Sequence, residues 1–152
     1  MDTLSFEKVE QKVNESYYTL AKIIINGKPF IEIVKDYELP FTDKSDVVEL
    51  AGSYMSAPAK YLYDMLTYNE KCQTYDDEIP ILICRCGAEG CWDLIATVED
   101  KGSVIVWKDI HNPRRSSPTP QRTSFWDYKN FPSFCFDKQQ YNYAIEELGK
   151  FF

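Results

Sequence analysis

The chain has 152 residues, 44% of them hydrophobic and 15% aromatic, enough to bury a core in one ordinary domain without disulfide or metal staples. Its formal charge of −7 argues against nucleic acid or an anionic membrane as a partner, since both attract basic side chains. The start, Met1-Asp2-Thr3-Leu4, lacks a basic leader, and no stretch approaches the ~20 apolar residues of a membrane span, so a soluble, cytoplasmic protein is expected.

In chain order, a short amphipathic opening around Phe6 to Val13 leads to a β-branched and aromatic stretch, Tyr17 to Ile25, that predicts a strand. Asn26-Gly27 predicts a type I′ turn, because both central residues of that turn need positive φ. A returning strand is expected over Phe30 to Val34, with Tyr37 as its outer limit and Pro40 ending it. Tyr61, Leu62, Met65 and Leu66 fall at helical spacing and predict an amphipathic helix over Ser56 to Tyr68, with Pro58 in its first turn.

Cys72 to Glu78 is a polar, acidic connection. Ile79 to Cys86 then predicts a strand, Gly87-Ala88-Glu89-Gly90 a tight turn, and Cys91 to Val98 the returning strand, with Trp92, Leu94, Ala96 and Val98 on one apolar face. A turn at Glu99-Asp100-Lys101-Gly102 leads into Val104 to Trp107 and completes a three-stranded meander. His111 to Thr123, with Pro113, Pro118 and Pro120, is a loop on composition. Asp137 as N-cap, with Gln140 three residues on as in a capping box, opens a last helix whose Tyr141, Ala144, Ile145 and Leu148 form an apolar stripe. The expected fold is α+β: one domain over residues 1–152, mainly antiparallel sheet, with a central helix and a C-terminal helix packed on the sheet.

Chemistry concentrates at Cys84-Arg85-Cys86-Gly87-Ala88-Glu89-Gly90-Cys91, with Trp92 directly behind. Strand alternation would put Cys84 and Cys86 on one face and the glycine turn would return Cys91 beside them. Gathered thiolates suit zinc, but a structural zinc site takes four ligands, and the fourth would have to be Cys72, Cys135 or His111, the single histidine. Three readings stay open: small buried hydrophobes at a hairpin tip, a metal site, and a redox or catalytic thiol. Five cysteines, an odd number at low density, point to free thiols rather than a disulfide framework.

Charge is unevenly spread. Residues 1–80 hold 15 acids against 8 lysines and no arginine, while residues 81–152 hold 9 acids against 9 bases. Three of the four arginines, Arg114, Arg115 and Arg122, lie in the proline-rich loop, where they could grip a carboxylate or phosphate or pair with the acidic first half. Arg114, Arg115, Trp126 and Tyr128 are the candidate binding residues, and a basic protein is the candidate partner. No catalytic set is evident, so the first expectation is a non-enzymatic protein-binding module, such as an acidic immunity- or inhibitor-type protein, that requires no cofactor. The alternative is a metal- or thiol-dependent enzyme built around Cys84, Cys86 and Cys91, with zinc as the ion.

Several stretches together are familiar: Cys84-x-Cys86-Gly87-x-x-Gly90-Cys91-Trp92, Val106-Trp107, Asn112-Pro113-Arg114, Trp126-Asp127-Tyr128 and Phe134-x-Phe136-Asp137-x-x-Gln140-Tyr141. With Asn26-Gly27-Lys28-Pro29, Glu38-Leu39-Pro40-Phe41 and Ala51-Gly52-Ser53-Tyr54 upstream, the chain resembles a family of small uncharacterised bacterial proteins. The resemblance implies a bacterial source and one recurring domain; it implies no activity.

Overall fold

The structure is a computed structural model that describes residues 1–42, 50–67, 78–88, 90–118, 120 and 125–152. Two antiparallel sheets and three α-helices make up an α+β fold. Strands β1 (Leu4–Val13) and β2 (Ser16–Ile25) form a ten-residue ribbon in unbroken register from Leu4↔Ile25 to Val13↔Ser16. Leu4 and Phe6 face the core with Ile23 and Ile25, whereas the outer half is solvated and its alternation is diluted by Glu7, Lys8, Glu10, Gln11 and Lys12. The amphipathic opening is therefore a full strand.

Asn26 (φ 54°) and Gly27 (φ 78°) adopt the positive φ values expected of a type I′ turn. The returning strand expected over Phe30 to Val34 is not there. Only β3 (Lys28–Pro29) pairs back onto β2, and α1 (Phe30–Glu38) follows at once. Ile31 and Ile33 give the stretch a two-residue rhythm, but Phe30, Val34 and Glu38, four apart, are the residues buried, so the helical period wins. Pro29 at the N-cap sacrifices no helical hydrogen bond, and Glu32 and Lys35 match the helix dipole at the first and last turns. Pro40 lies in a 3-10 turn, Leu39–Phe41, instead of closing a strand.

The second sheet has the order β4 (Met55–Ser56), β5 (Ile79–Ile83), β6 (Leu94–Asp100), β7 (Val104–His111) and β8 (Phe134–Asp137), antiparallel throughout. It contains the expected meander. Helix α2 (Ala59–Thr67) starts after Pro58, whose carbonyl accepts the Leu62 N–H at 3.0 Å. Helix α3 (Lys138–Leu148) is capped by Asp137, whose carboxylate accepts the Gln140 N–H at 3.1 Å. The Gln140 side chain does not complete a capping box. Its amide reaches the edge of β1, accepting from the Leu4 N–H at 3.0 Å and donating to the Leu4 carbonyl at 2.6 Å.

One hydrophobic core is shared by both sheets and all three helices, with Ile23, Phe30, Leu62, Leu82, Trp107 and Leu148 among its members. Trp107 is wholly buried, and its indole N–H donates to the Tyr141 hydroxyl at 3.2 Å, so the ring enters the core without orphaning its polar atom. Asp2 bridges the two sheets through a backbone N–H to the Cys135 carbonyl and a carboxylate that accepts the Cys135 N–H. Among the described residues, no helix is long and apolar enough to cross a membrane.

Candidate functional site, a three-cysteine loop

Strand β5 stops at Ile83, so the thiols meet in a turn, not by strand alternation. The Gly87 N–H donates to the Cys84 carbonyl at 2.8 Å, and Gly87 (φ 83°) and Gly90 (φ 85°) take left-handed backbone that doubles the chain back toward β6. Cys84 and Cys91 bring their Sγ atoms to 3.4 Å, and the Sγ atoms of Cys84, Cys86 and Cys91 all lie within 4.8 Å of one another. These three cysteines are close enough to hold one metal ion.

Two features hold the loop from inside. The Ala88 N–H donates to Cys86 Sγ at 3.4 Å. Asp93 is wholly buried, and its carboxylate accepts the Cys84 N–H at 3.3 Å and the Gly90 N–H at 2.8 Å, tying both arms of the loop to one side chain. Sequence reading passed over Asp93 because it looked like the polar member of an alternating strand. Its position directly after the cluster was the available signal. The Ala88 N–H, followed by the neighbouring thiols, holds Cys86 below the ordinary thiol range. Hydrogen bonding with the Cys84 thiol first, and then with that of Cys86, pushes Cys91 up to about 11.

The arginine loop closes over this turn. Arg114 Nε donates to the Gly90 carbonyl at 3.2 Å, its second guanidinium nitrogen shares that acceptor, and its backbone N–H reaches Asn112 Oδ1 at 2.9 Å. Arg115 lies against both Trp92 and Trp126, with its guanidinium carbon 5.2 Å and 5.1 Å from the two ring centroids. Trp126 is buried, edge-on to Trp92 at 6.0 Å. Tyr128 is half-buried and donates to Glu38 at 2.6 Å. Arg114, Arg115 and Trp126 thus sit beside the cysteine loop, while Tyr128 belongs to the Glu38 centre, and each makes contacts within the protein.

The other candidate ligands lie elsewhere. His111 ends β7, with Nδ1 2.7 Å from the Asp109 carbonyl oxygen and 3.8 Å from Glu78 Oε2. Cys135 is on β8, three strands from β5, or about 14 Å at ordinary strand spacing. Cys72 and Arg122 fall outside the described residues. Among the described residues, no fourth Cys, His, Asp or Glu joins the trio.

A second polar centre escaped sequence reading altogether. Glu38 is wholly buried and accepts from the Gly52 N–H at 2.8 Å, the Tyr54 hydroxyl at 2.6 Å and the Tyr128 hydroxyl at 2.6 Å. Asn112 Nδ2 donates to the Tyr54 hydroxyl at 3.0 Å. Burial raises the Glu38 pKa against the opposing pull of these donors. Reading Phe30 to Glu38 as a helix would have exposed the signal: Glu38 stands on the same stripe as Phe30 and Val34.

The fold and site define an α+β protein carrying a hairpin loop of three convergent thiols. No family model, curated protein or solved structure matches the chain.

Proposed function

We propose that the protein is a zinc-binding module in which Cys84, Cys86 and Cys91 supply three ligands to one ion. The observation that carries this reading is the mutual approach of the three sulfurs. Zinc–sulfur bonds of ~2.3 Å at tetrahedral angles hold sulfurs ~3.8 Å apart. The Cys84–Cys91 separation of 3.4 Å and the 4.8 Å limit on the trio bracket that value. Three thiolates select a soft or borderline ion, and the Asp93, Ala88 and Arg114 contacts orient the loop as outer-shell groups do in metal sites. The fourth position belongs to a donor outside this trio.

Anaerobic purification, zinc titration against a chromophoric chelator, and cobalt substitution test the reading. The expected result is one ion per chain, thiolate-to-cobalt charge-transfer bands, and at least ~100-fold weaker binding in Cys86→Ser or Cys91→Ser. Substoichiometric metal, or unchanged affinity when all three cysteines are replaced by serine, overturns it.

A second reading, a non-enzymatic module that binds a basic protein, is favoured by one feature away from the arginine loop. At the outer end of the β1–β2 ribbon, Tyr17 and Tyr18 are 72% and 46% exposed, beside a turn that includes Glu15.

A further inference from the structure

Two cavities meet beside the cysteine loop. The larger, about 520 Å³, lies between the non-core face of the ribbon and the segment that includes β4; the smaller, about 290 Å³, continues toward Cys86 and Gly87. They share Leu20, Met55 and Arg85, so Arg85 stands at their junction. Both are walled mainly by apolar groups, among them Val9 and Ile31 in the first and Pro58 and Ile83 in the second. Their size falls in the range of sites for small molecules.

The charge pattern of this cleft opposes that of the chain. Lys22 and Arg85 line the larger cavity, and no Asp or Glu among the described residues lines either one. In a protein of net charge −7, acids are the commoner charged neighbour, yet neither cation makes a hydrogen bond or ion pair through its side chain among the described residues. Glu7 lies across the ribbon from Lys22 in register, but the ribbon's ion pairs are Lys8–Glu10 and Lys12–Glu15. Arg85 lies in the turn closed by the Gly87 N–H on the Cys84 carbonyl, which brings it, with Cys86 and Gly87, to the wall of the smaller cavity.

We infer that this cleft binds a small organic carboxylate with an apolar body, the carboxylate held by Arg85 and Lys22 and the body lying against Leu20 and Met55. A guanidinium matches a carboxylate with two parallel hydrogen bonds, a lysine adds a point charge, and the apolar walls repel a fully hydrated ion. The inference does not use the metal.

The test is a ¹⁵N-edited NMR titration of the full chain with 4-phenylbutyrate, its neutral analogue 4-phenylbutanol, and inorganic phosphate. Saturable shifts of the Leu20, Lys22, Met55 and Arg85 amides with phenylbutyrate are expected, with Kd of about 1 mM or tighter. Arg85→Ala should weaken binding at least ~10-fold and Lys22→Ala ~3-fold, while Glu7→Gln should strengthen it ~2-fold. No saturable shift by about 10 mM phenylbutyrate overturns the inference. Equal binding of the alcohol, or of phosphate, also overturns it, by removing the charged or the apolar half of the recognition. Cys91→Ser, which cripples the proposed metal site, should leave carboxylate affinity within ~2-fold. Loss of binding in that variant alone would place the carboxylate on the metal and overturn the inference without touching the zinc reading.

Discussion

Replacing Glu38 by glutamine tests the buried polar centre most sharply. The carboxyl group meets three donors: the Gly52 N–H on Oε1, and the Tyr54 and Tyr128 hydroxyls on Oε2, the latter two at 2.6 Å; once protonated it keeps Oε1 as an acceptor for Gly52 and offers a single O–H that a tyrosine oxygen can accept. Glutamine offers one carbonyl and one NH2. With its carbonyl toward the tyrosines, the NH2 faces the Gly52 N–H and leaves a buried donor unsatisfied. With its carbonyl toward Gly52, the NH2 faces two hydroxyls, one of which already accepts from Asn112. Either orientation orphans about one buried donor, at a cost of about 2 kcal/mol, and Glu38→Ala, which removes every acceptor, costs about 4 kcal/mol. The sign of the pH dependence follows from the raised pKa of Glu38. The folded state holds this proton more tightly than the unfolded chain, so the stabilisation is fully present below about pH 4.5 and is lost as pH rises through the folded value. Glutamine cannot titrate. The wild-type advantage over Glu38→Gln should therefore be largest in acid and narrow toward neutrality, read by urea unfolding followed by far-UV circular dichroism at a series of pH values. A difference below about 0.5 kcal/mol in acid, or one that widens with pH, refutes the reasoning.

Gly52→Ala should cost about 3 kcal/mol in the same assay, because its φ is +66° and a Cβ there would stand 2.5 Å from Lys35 Cβ and 3.1 Å from Lys35 Cα. Gly27→Ala, at φ +78° but with nothing within 4 Å, should cost only about 1 kcal/mol, and equal losses at the two sites would remove the steric explanation. If the ribbon tip is a protein-binding surface, Tyr17→Ser together with Tyr18→Ser should weaken capture of a basic partner about 30-fold without moving the thermal midpoint by more than about 2 °C. A partner held equally well by wild type and variant assigns the contact elsewhere.

Local signals carried most of the fold. The Asn26-Gly27 turn, the meander from Ile79 onward and the Asp137 cap are each written in a few adjacent residues, because turn and cap chemistry acts over three or four positions. The Phe30 segment failed because β-branched Ile31, Ile33 and Val34 satisfy both a strand rhythm and part of a helical one, and burial of Phe30 and Val34 on one side decides between them. Strand β1 was faint because its outer half has no core beneath it. At the site, convergence of the three cysteines was readable from the two glycines, yet the supporting groups were not. Asp93 is two residues from Cys91, but the partners Arg114 and Glu38 act across 24 and 90 positions of the chain, on Gly90 and Tyr128. Sequence spacing carries no record of such contacts.

The arginines show that composition alone does not tell an arginine held within the fold from one left open to a ligand. A loop with three arginines and no acid invites an anion, but Arg114 is taken by the Gly90 carbonyl and Arg115 by two indole rings, so their charges are spent on closing the cysteine loop. Among the described arginines, Arg85 is the one whose guanidinium lacks such a contact, and it lies between Cys84 and Cys86 in the turn. Arg85, lying between two of the converging cysteines, lines the cleft together with Lys22, Leu20 and Met55. The whole-protein field of −7 repels an anion at a distance, so recognition there must come from contacts shorter than the ~8 Å screening length of physiological salt. A guanidinium and an ammonium lining one cleft can supply such contacts. If the cleft takes a carboxylate, the Cys84–Cys86 segment serves two chemistries side by side: its sulfurs converge with Cys91, while Arg85 between them lines the cleft that Cys86 also borders.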